Sequence, residues 1–257
     1  ERGEMVQIDL PIKNFNRTTC TMLSGQVAKR HGSDGLPPGT ITIKLTGVAG
    51  QSFGTFLSPG IDLTLIGEAN DYAGKGMAGG RIAIRPNPDA PLIAHQNSIV
   101  GNTVLYGATG GKFFANGQAG ERFCVRTSGV QAVIEGVGDH ACEYMTGGIM
   151  LCLGPTGTNF GAGMSGGFAF VLDEDQRFSQ RCNMEMIALE QVVEGEDVEL
   201  LRGLIEEHVA CTGSVKAQKI LDRWDDALPK FVKVFPHEYR RALLEQAKQE
   251  QKEVVHG

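Results

Sequence analysis

The sequence predicts a mainly β fold, a single-stranded β-helix (β-solenoid) with a lead-in helix before it and a helical tail behind it. Three observations carry this. Between residues 41 and 172, short apolar runs such as DLTLIG, GGRIAIRP, GGKFFANG, GGIMLCLG and GGFAFVLD alternate with glycine-rich turns. The runs recur at steps of about 17 to 19 residues. No helical periodicity separates them from Thr40 onward, as a βαβ fold would require. A strand this short cannot bury a face alone, but stacking gives each coil ladder partners above and below. At about 4.8 Å per rung, roughly seven coils make a rod on the order of 30 Å long.

Along the chain, residues 1–39 read as a lead-in. Val6, Ile8 and Leu10 alternate as in a strand. Thr18–Arg30 has helical spacing in Cys20, Leu23 and Val27 and stops at His31-Gly32. Ser33–Gly39 is a turn segment.

The glycine-rich β-helix is placed at 40–190. Arg81–Ile84 is matched to Ser98–Gly101, and Lys112–Phe114 to Ala132–Ile134, Ile149–Leu151 and Phe168–Phe170. Ile82, Ile84, Ile99, Val104, Ile134, Ile149, Leu151, Ala169 and Val171 are the expected inward side chains. Asn183–Glu190 offers one more strand.

The C-terminal helices are placed at 191–257. Asp197–Val209 sets Leu200, Leu201, Leu204, Ile205 and His208 on one side, with Asp197 as N-cap. Ser214–Leu228 has Ser214 as cap and a stripe of Ala217, Ile220, Leu221, Trp224 and Leu228. Pro236 opens a third pattern with Tyr239, Leu243, Leu244 and Ala247, and the last nine residues fray. An open solenoid end exposes core and ladder edge; covering it is one use for these helices, and which end or face they cover stays open in the sequence.

Composition sets limits. Of 257 residues, 41% are hydrophobic and 21% charged, which excludes a disordered chain. The 35 glycines have no Gly-X-Y period, which excludes collagen. A net charge of -6 disfavours nucleic acid and anionic membranes as partners. No run of 18 apolar residues exists to span a bilayer. The opening residues carry neither a signal peptide nor a basic leader, and without an initiating Met they read as part of a longer chain. Cysteines 20, 124, 142, 152, 182 and 211 lack CxxC spacing and read as free thiols, several buried, rather than metal or Fe–S ligands.

Several motifs invite a chemical reading. Gly74–Gly79 and Gly161–Gly166 each spell GxGxxG, but strand patterns follow both, so no helix N-terminus waits for a pyrophosphate. The alternative function, a carbohydrate-active solenoid enzyme, requires stacking to gather a carboxylate pair from among Glu68, Asp71, Glu135 and Asp139. The competing reading makes the polar turn residues, including Asn70, Asn97, Asn102, Asn116, Asn159 and Asp173, backbone-bonding ladders. His31, His95, His140, His208, His237 and His256 show no ligand spacing. Ser24, Ser52 and Ser165 lie outside any GxSxG. Asn16-Arg17-Thr18 fits the glycosylation pattern, which needs secretion to matter. Arg81, Arg85, Arg122 and Arg126 recur on the repeats and are expected to meet carboxylates or another domain.

Longer motifs carry a resemblance. Gly47–Phe56 (GVAGQSFGTF) and Gly67–Gly76 (GEANDYAGKG) are similar to signatures of the C-terminal glycine-repeat (GXGXG) domain of the glutamate synthase large subunit. So are Met22–Gly25 with Ala28–Arg30, and the tail from Leu204–His208 through Ile220–Trp224 to Phe231–Pro236. A related repeat domain occurs in a formylmethanofuran dehydrogenase subunit, but the tail resembles glutamate synthase more. The resemblance implies a right-handed winding and a place in a large cytoplasmic enzyme that makes glutamate from glutamine and 2-oxoglutarate with NADPH or ferredoxin as donor. It implies FMN and a 3Fe–4S cluster in other domains, and no catalytic, cofactor-binding or metal residue here. The implied partners are the amidotransferase and synthase domains and a small reductase subunit. The implied role is structural: bracing those domains so that ammonia is channelled.

Overall fold

The computed structural model describes residues 4–193, 195–242 and 244–245. The order is strand β1 (Val6–Ile12), helix α1 (Thr21–His31), then β2 (Ile41–Ala49), β3 (Ile61–Ala69), β4 (Ala78–Arg85), β5 (Gly110–Ala115), β6 (Ser128–Ile134), β7 (Thr146–Cys152) and β8 (Gly166–Leu172). Next come β9 (Ile187–Gln191), α2 (Glu196–Thr212), α3 (Val215–Asp222), α4 (Trp224–Ala227) and β10 (Phe231–Pro236). All strands join one ten-stranded sheet in the order β1 to β8, then β10, then β9. Neighbours from β1 to β8 pair in parallel, and β10 runs antiparallel to both β8 and β9. This is a β-solenoid with a lead-in helix and a helical tail, as the sequence predicts.

The register corrects two repeat assignments. Arg81 pairs with Lys112, not with the run at Ser98. The intervening stretch leaves the rod after Arg85, turns at Ala94–Gln96 and returns where Ser98 and Val100 bridge Gln118 and Ala69 on another side of the coil. Lys112 in turn pairs with Gln131, so Lys112–Phe114 matches Gln131–Val133 rather than Ala132–Ile134. The shift belongs to β6 alone: Gln131 pairs with Ile149 and Ile149 with Phe168, so the matches to Ile149–Leu151 and Phe168–Phe170 stand, and Leu151 lies level with Val133 rather than Ile134.

Two apolar layers follow. Inside the coil, one column runs Ile43, Leu63, Ile82, Phe113, Ala132, Met150, Ala169, and a second runs Leu45, Leu65, Ile84, Ala115, Ile134, Cys152, Val171. The predicted inward residues Ile82, Ile84, Ile99, Val104, Ile134, Ala169 and Val171 belong to this core. Ile149 and Leu151 do not. They face outward with Phe114, Val133 and Phe170, under Leu201, Leu204 and Ile205 of α2 and Ala217 and Ile220 of α3. A sheet covered on both faces is apolar on both, so alternation alone does not mark its inside.

The structure answers which face the tail covers. Its helices cover the broad face of the sheet, with α2 against β4, β5 and β6. The rod end is closed instead by β10, a strand unread in the sequence, with Val234 opposite Ala169 and Val232 opposite Val171. The expected strand near residues 183–190 is β9. Helix α1 starts at Thr21, because Thr18 and Cys20 hold positive φ. Gly195, not Asp197, precedes α2. Asp197 sits in the first turn, where its carboxylate favours the helix N-terminus and accepts from Lys233 Nζ at 2.6 Å. Ser214 caps α3 as expected, accepting from Ala217 N–H at 3.0 Å, but the helix breaks after Asp222. Pro236 ends β10, and residues 237–242 are helical. Leu243, Ala247, His256 and the last nine residues lie outside the described residues.

Candidate functional site

The glycines of the GxG runs belong to a second side of the coil with an uncommon backbone. Positive φ recurs at every other residue, three times per coil: Ser52, Gly54, Phe56; Tyr72, Gly74, Gly76; Thr103, Leu105, Gly107; Arg122, Cys124, Arg126; His140, Cys142, Tyr144. Asn159, Gly161 and Gly163 continue the series. Outer and middle members donate in opposite directions along the rod. Arg122 N–H reaches Asp139 O at 2.8 Å and Arg126 N–H reaches Glu143 O at 2.9 Å, whereas Cys124 N–H reaches back to Val104 O at 3.0 Å. A left-handed conformation costs a residue with a Cβ about 1–2 kcal/mol. Glycine avoids that cost, and where Leu105, Cys124 or Cys142 stands instead, the inward side chain is fully buried in the core.

Both GxGxxG runs lead into strands, β4 and β8, and three of their glycine amides are already used: Gly74 N–H on Phe53 O, Gly76 N–H on Tyr106 O, Gly161 N–H on Ala141 O. The dinucleotide fingerprint instead places free amides at a helix N-terminus.

Three of the four carboxylates considered from sequence take separate structural tasks. Asp71 Oδ1 accepts from Asn102 N–H at 2.7 Å, Asn102 Oδ1 from Glu121 N–H at 2.8 Å, and Asp139 Oδ1 from Thr158 N–H at 2.7 Å. This is the ladder reading of the turn residues, carried from coil to coil. Glycine is needed beside it for room: a Cβ at Gly101, Gly120 or Gly157 would lie 2.2 Å from the accepting oxygen. Glu68 is exposed and lines a cleft of about 240 Å³ beside the 86–97 excursion. Glu135 is wholly buried beneath the tail helices. One of its oxygens accepts from Ser214 Oγ, and His208 Nε2 lies 3.3 Å from the same oxygen. Serine and histidine both address the carboxylate rather than each other, and none of the three reaches solvent, so the trio fastens tail to rod.

A further polar grouping went unread in the sequence. His140 Nδ1 lies 2.8 Å from Glu143 Oε1, and Asn159 Nδ2 lies 3.2 Å from both. Asn183 Nδ2 extends the chain to Asn159 Oδ1 at 3.2 Å. Only stacking at the coil period brings these together. Of the repeat arginines, Arg81 pairs with Asp62 at 2.7 Å, while Arg122 and Arg126 are exposed on the positive-φ side, Arg126 over the Tyr144 ring at 5.8 Å.

All six cysteines are free. Burial pushes the Cys20 thiol up to about 11 and those of Cys152 and Cys182 up to about 12. Cys124 and Cys142 are raised as well, by burial first and by neighbouring thiols second. A nucleophilic or metal-binding cysteine needs the thiolate, which these surroundings oppose. Among the described residues, no group of three His, Cys, Asp or Glu side chains is placed to hold a metal ion. No described helix is long and apolar enough to cross a membrane.

Parallel coils, paired amide ladders and a positive-φ side built on G-x-G spacing define a glycine-repeat solenoid domain. The GXGXG motif family matches residues 1–237, and the chain belongs to that family. It is 47% identical over 244 residues to the glutamate synthase [NADPH] large chain of Bacillus subtilis, covering 95% of this chain and 16% of that one. It is 54% identical over 225 residues to the ferredoxin-dependent glutamate synthase of Pyropia yezoensis, covering 88% and 15%. Against the glutamate synthase [NADH] of Schizosaccharomyces pombe it is 48% identical over 247 residues, covering 96% and 12%. The chain thus spans about a sixth or less of the length of these relatives.

Proposed function

We propose that this chain is a non-catalytic structural domain of a glutamate synthase large subunit, which forms glutamate reductively from glutamine and 2-oxoglutarate. In this role it braces an amidotransferase domain and an FMN-binding synthase domain, so that ammonia passes between them without entering bulk water. FMN and the 3Fe–4S cluster are held by those other domains, NADPH or ferredoxin supplies electrons, and a small reductase subunit is a further partner. The assembly is cytoplasmic. The single observation that carries the reading is where the polar side chains are used: Asp71, Asn102, Asp139 and Glu135 all bond within the rod or to its tail. Such a rod resists bending, and channelling depends on two sites keeping their separation.

Reconstituting the chain with the amidotransferase and synthase domains tests this. Glutaminase activity, glutamate formation and free ammonia are measured together. With the chain present, glutamine hydrolysis and glutamate formation match. Without it, ammonia leaks. Stoichiometric flavin on the purified chain, or equally tight coupling in its absence, overturns the proposal.

A further inference from the structure

The two ends of the rod are finished differently. At the β8 end, β10 and β9 continue the sheet, and Val234 is fully buried over the inner column. At the β1 end, the columns run on with no strand paired above them among the described residues. Ile8 stands opposite Ile43 and Leu10 opposite Leu45. The β2 members are 6% and 3% exposed, whereas Ile8 and Leu10 are 37% and 52% exposed. Helix α1 closes this coil only in part, since Val27 is buried but Met22 is 88% exposed. Between β1 and α1 lies an open groove of about 480 Å³, lined by Val6, Leu23, Val27 and Ile41 among others. Phe15, in the turn after β1, is also exposed.

From this asymmetry we propose that the open β1–α1 end is the surface on which a neighbouring domain of the same large chain packs. The inference rests on the structural role proposed above and names the face that serves it. An unfinished solenoid coil with an apolar interior needs a cover. In the relatives, 84% to 88% of the chain lies outside the matched segment, so a tethered cover is present at high effective concentration. Glu4, Arg30 and His31 line the groove beside its apolar residues. The matching surface is therefore apolar at its centre and polar, with both signs of charge, around it.

The test compares thiol labelling in the 257-residue chain and in the full-length large chain. Phe15→Cys and Met22→Cys report on the open end. Val215→Cys, on α3, and Tyr144→Cys, on the positive-φ side, report on other faces. Maleimide uptake is located by mass spectrometry, with circular dichroism confirming that each variant folds. The expected result is labelling at 15 and 22 slowed at least about tenfold in the large chain, as for side chains in a packed interface. Equal rates at 15 and 22, with slowing at 144 or 215, overturn the proposal while leaving the bracing role intact. Equal rates at all four positions overturn both. Slowing at 15 and 22 in the short chain alone, rising with its concentration alongside a dimer in sedimentation, assigns the end to a second copy and likewise overturns the proposal.

Discussion

His208 Nε2 lies 3.3 Å from Glu135 Oε1, and neither side chain is exposed. Glu135 follows the last residue of β6, while His208 is on α2, so the contact joins elements 73 positions apart. The same oxygen accepts from Ser214, whose Oγ also caps α3. Removing Glu135 strands two buried polar groups at once. Glu135→Ala is expected to cost about 3–5 kcal/mol, the range for a broken buried pair. Urea unfolding of Glu135→Ala, His208→Ala and the double variant measures it. A coupling energy of about 1–3 kcal/mol is expected, and simple additivity would show that the contact carries no energy of its own.

The faces of β7 yield a second prediction. Leu151 packs outward in the layer shared with Leu201, Leu204 and Ile205, whereas Met150 belongs to the inner column. Leu151→Ala is expected to cost about 2–5 kcal/mol and to loosen the helices over the sheet before the strands. Hydrogen exchange reads this directly. Protection in α2 falls first, while protection in β6 and β8 persists. The opposite order would return Leu151 to the interior.

These two residues also show where sequence legibility stops. The coil period was readable because glycines and apolar runs repeat locally. The register was not, because Gln131-Ala132-Val133-Ile134 is apolar in both parities, and a slip of one residue costs nothing on paper. Phe231–Val234 alternates like a strand, but its partner at β8 is some 60 positions away, and only pairing identifies it. The GxG spacing was visible at Gly74 and Gly161, where glycines occupy two of the three positive-φ places. It was hidden where Arg122, Cys124 and Arg126 fill the same places, since their side chains give no sign of left-handed backbone. Among candidate site residues, Asn102 was legible as a ladder rung. The pairing of Glu135 with His208 was not, since nothing local links β6 to the tail.

The ladder itself predicts a non-additive pair. Gly120 has negative φ, so alanine suits its backbone, but the added Cβ would sit 2.2 Å from Asn102 Oδ1. Gly120→Ala is expected to cost about 1–3 kcal/mol through overpacking. Asn102→Ala removes the obstructing oxygen together with its bond to Glu121 N–H. The double variant is therefore expected to be more stable than the sum of the two losses, by about 1 kcal/mol in thermal unfolding. Strict additivity would mean that Gly120 is kept for another reason.

Thiol chemistry gives the pH dependence. Burial raises Cys20 from 9.0 to about 11, and Cys152 and Cys182 to about 12. The folded state thus holds these protons more tightly than the unfolded chain. That contribution to stability is fully present below pH 9. It falls as pH rises from there and is gone once pH passes about 12, because the unfolded chain can ionise thiols that the folded chain keeps neutral. Urea midpoints measured from pH 7 to pH 10.5 should fall across the upper part of that range. A variant with Cys152→Ala and Cys182→Ser should lose less of its midpoint over the same interval. At pH 8, a disulfide reagent should modify few of the six cysteines in native buffer and all of them in denaturant. Rapid native modification of Cys152 would show that the interior of the coil opens to solvent, contrary to its complete burial beside Ile134 and Val171.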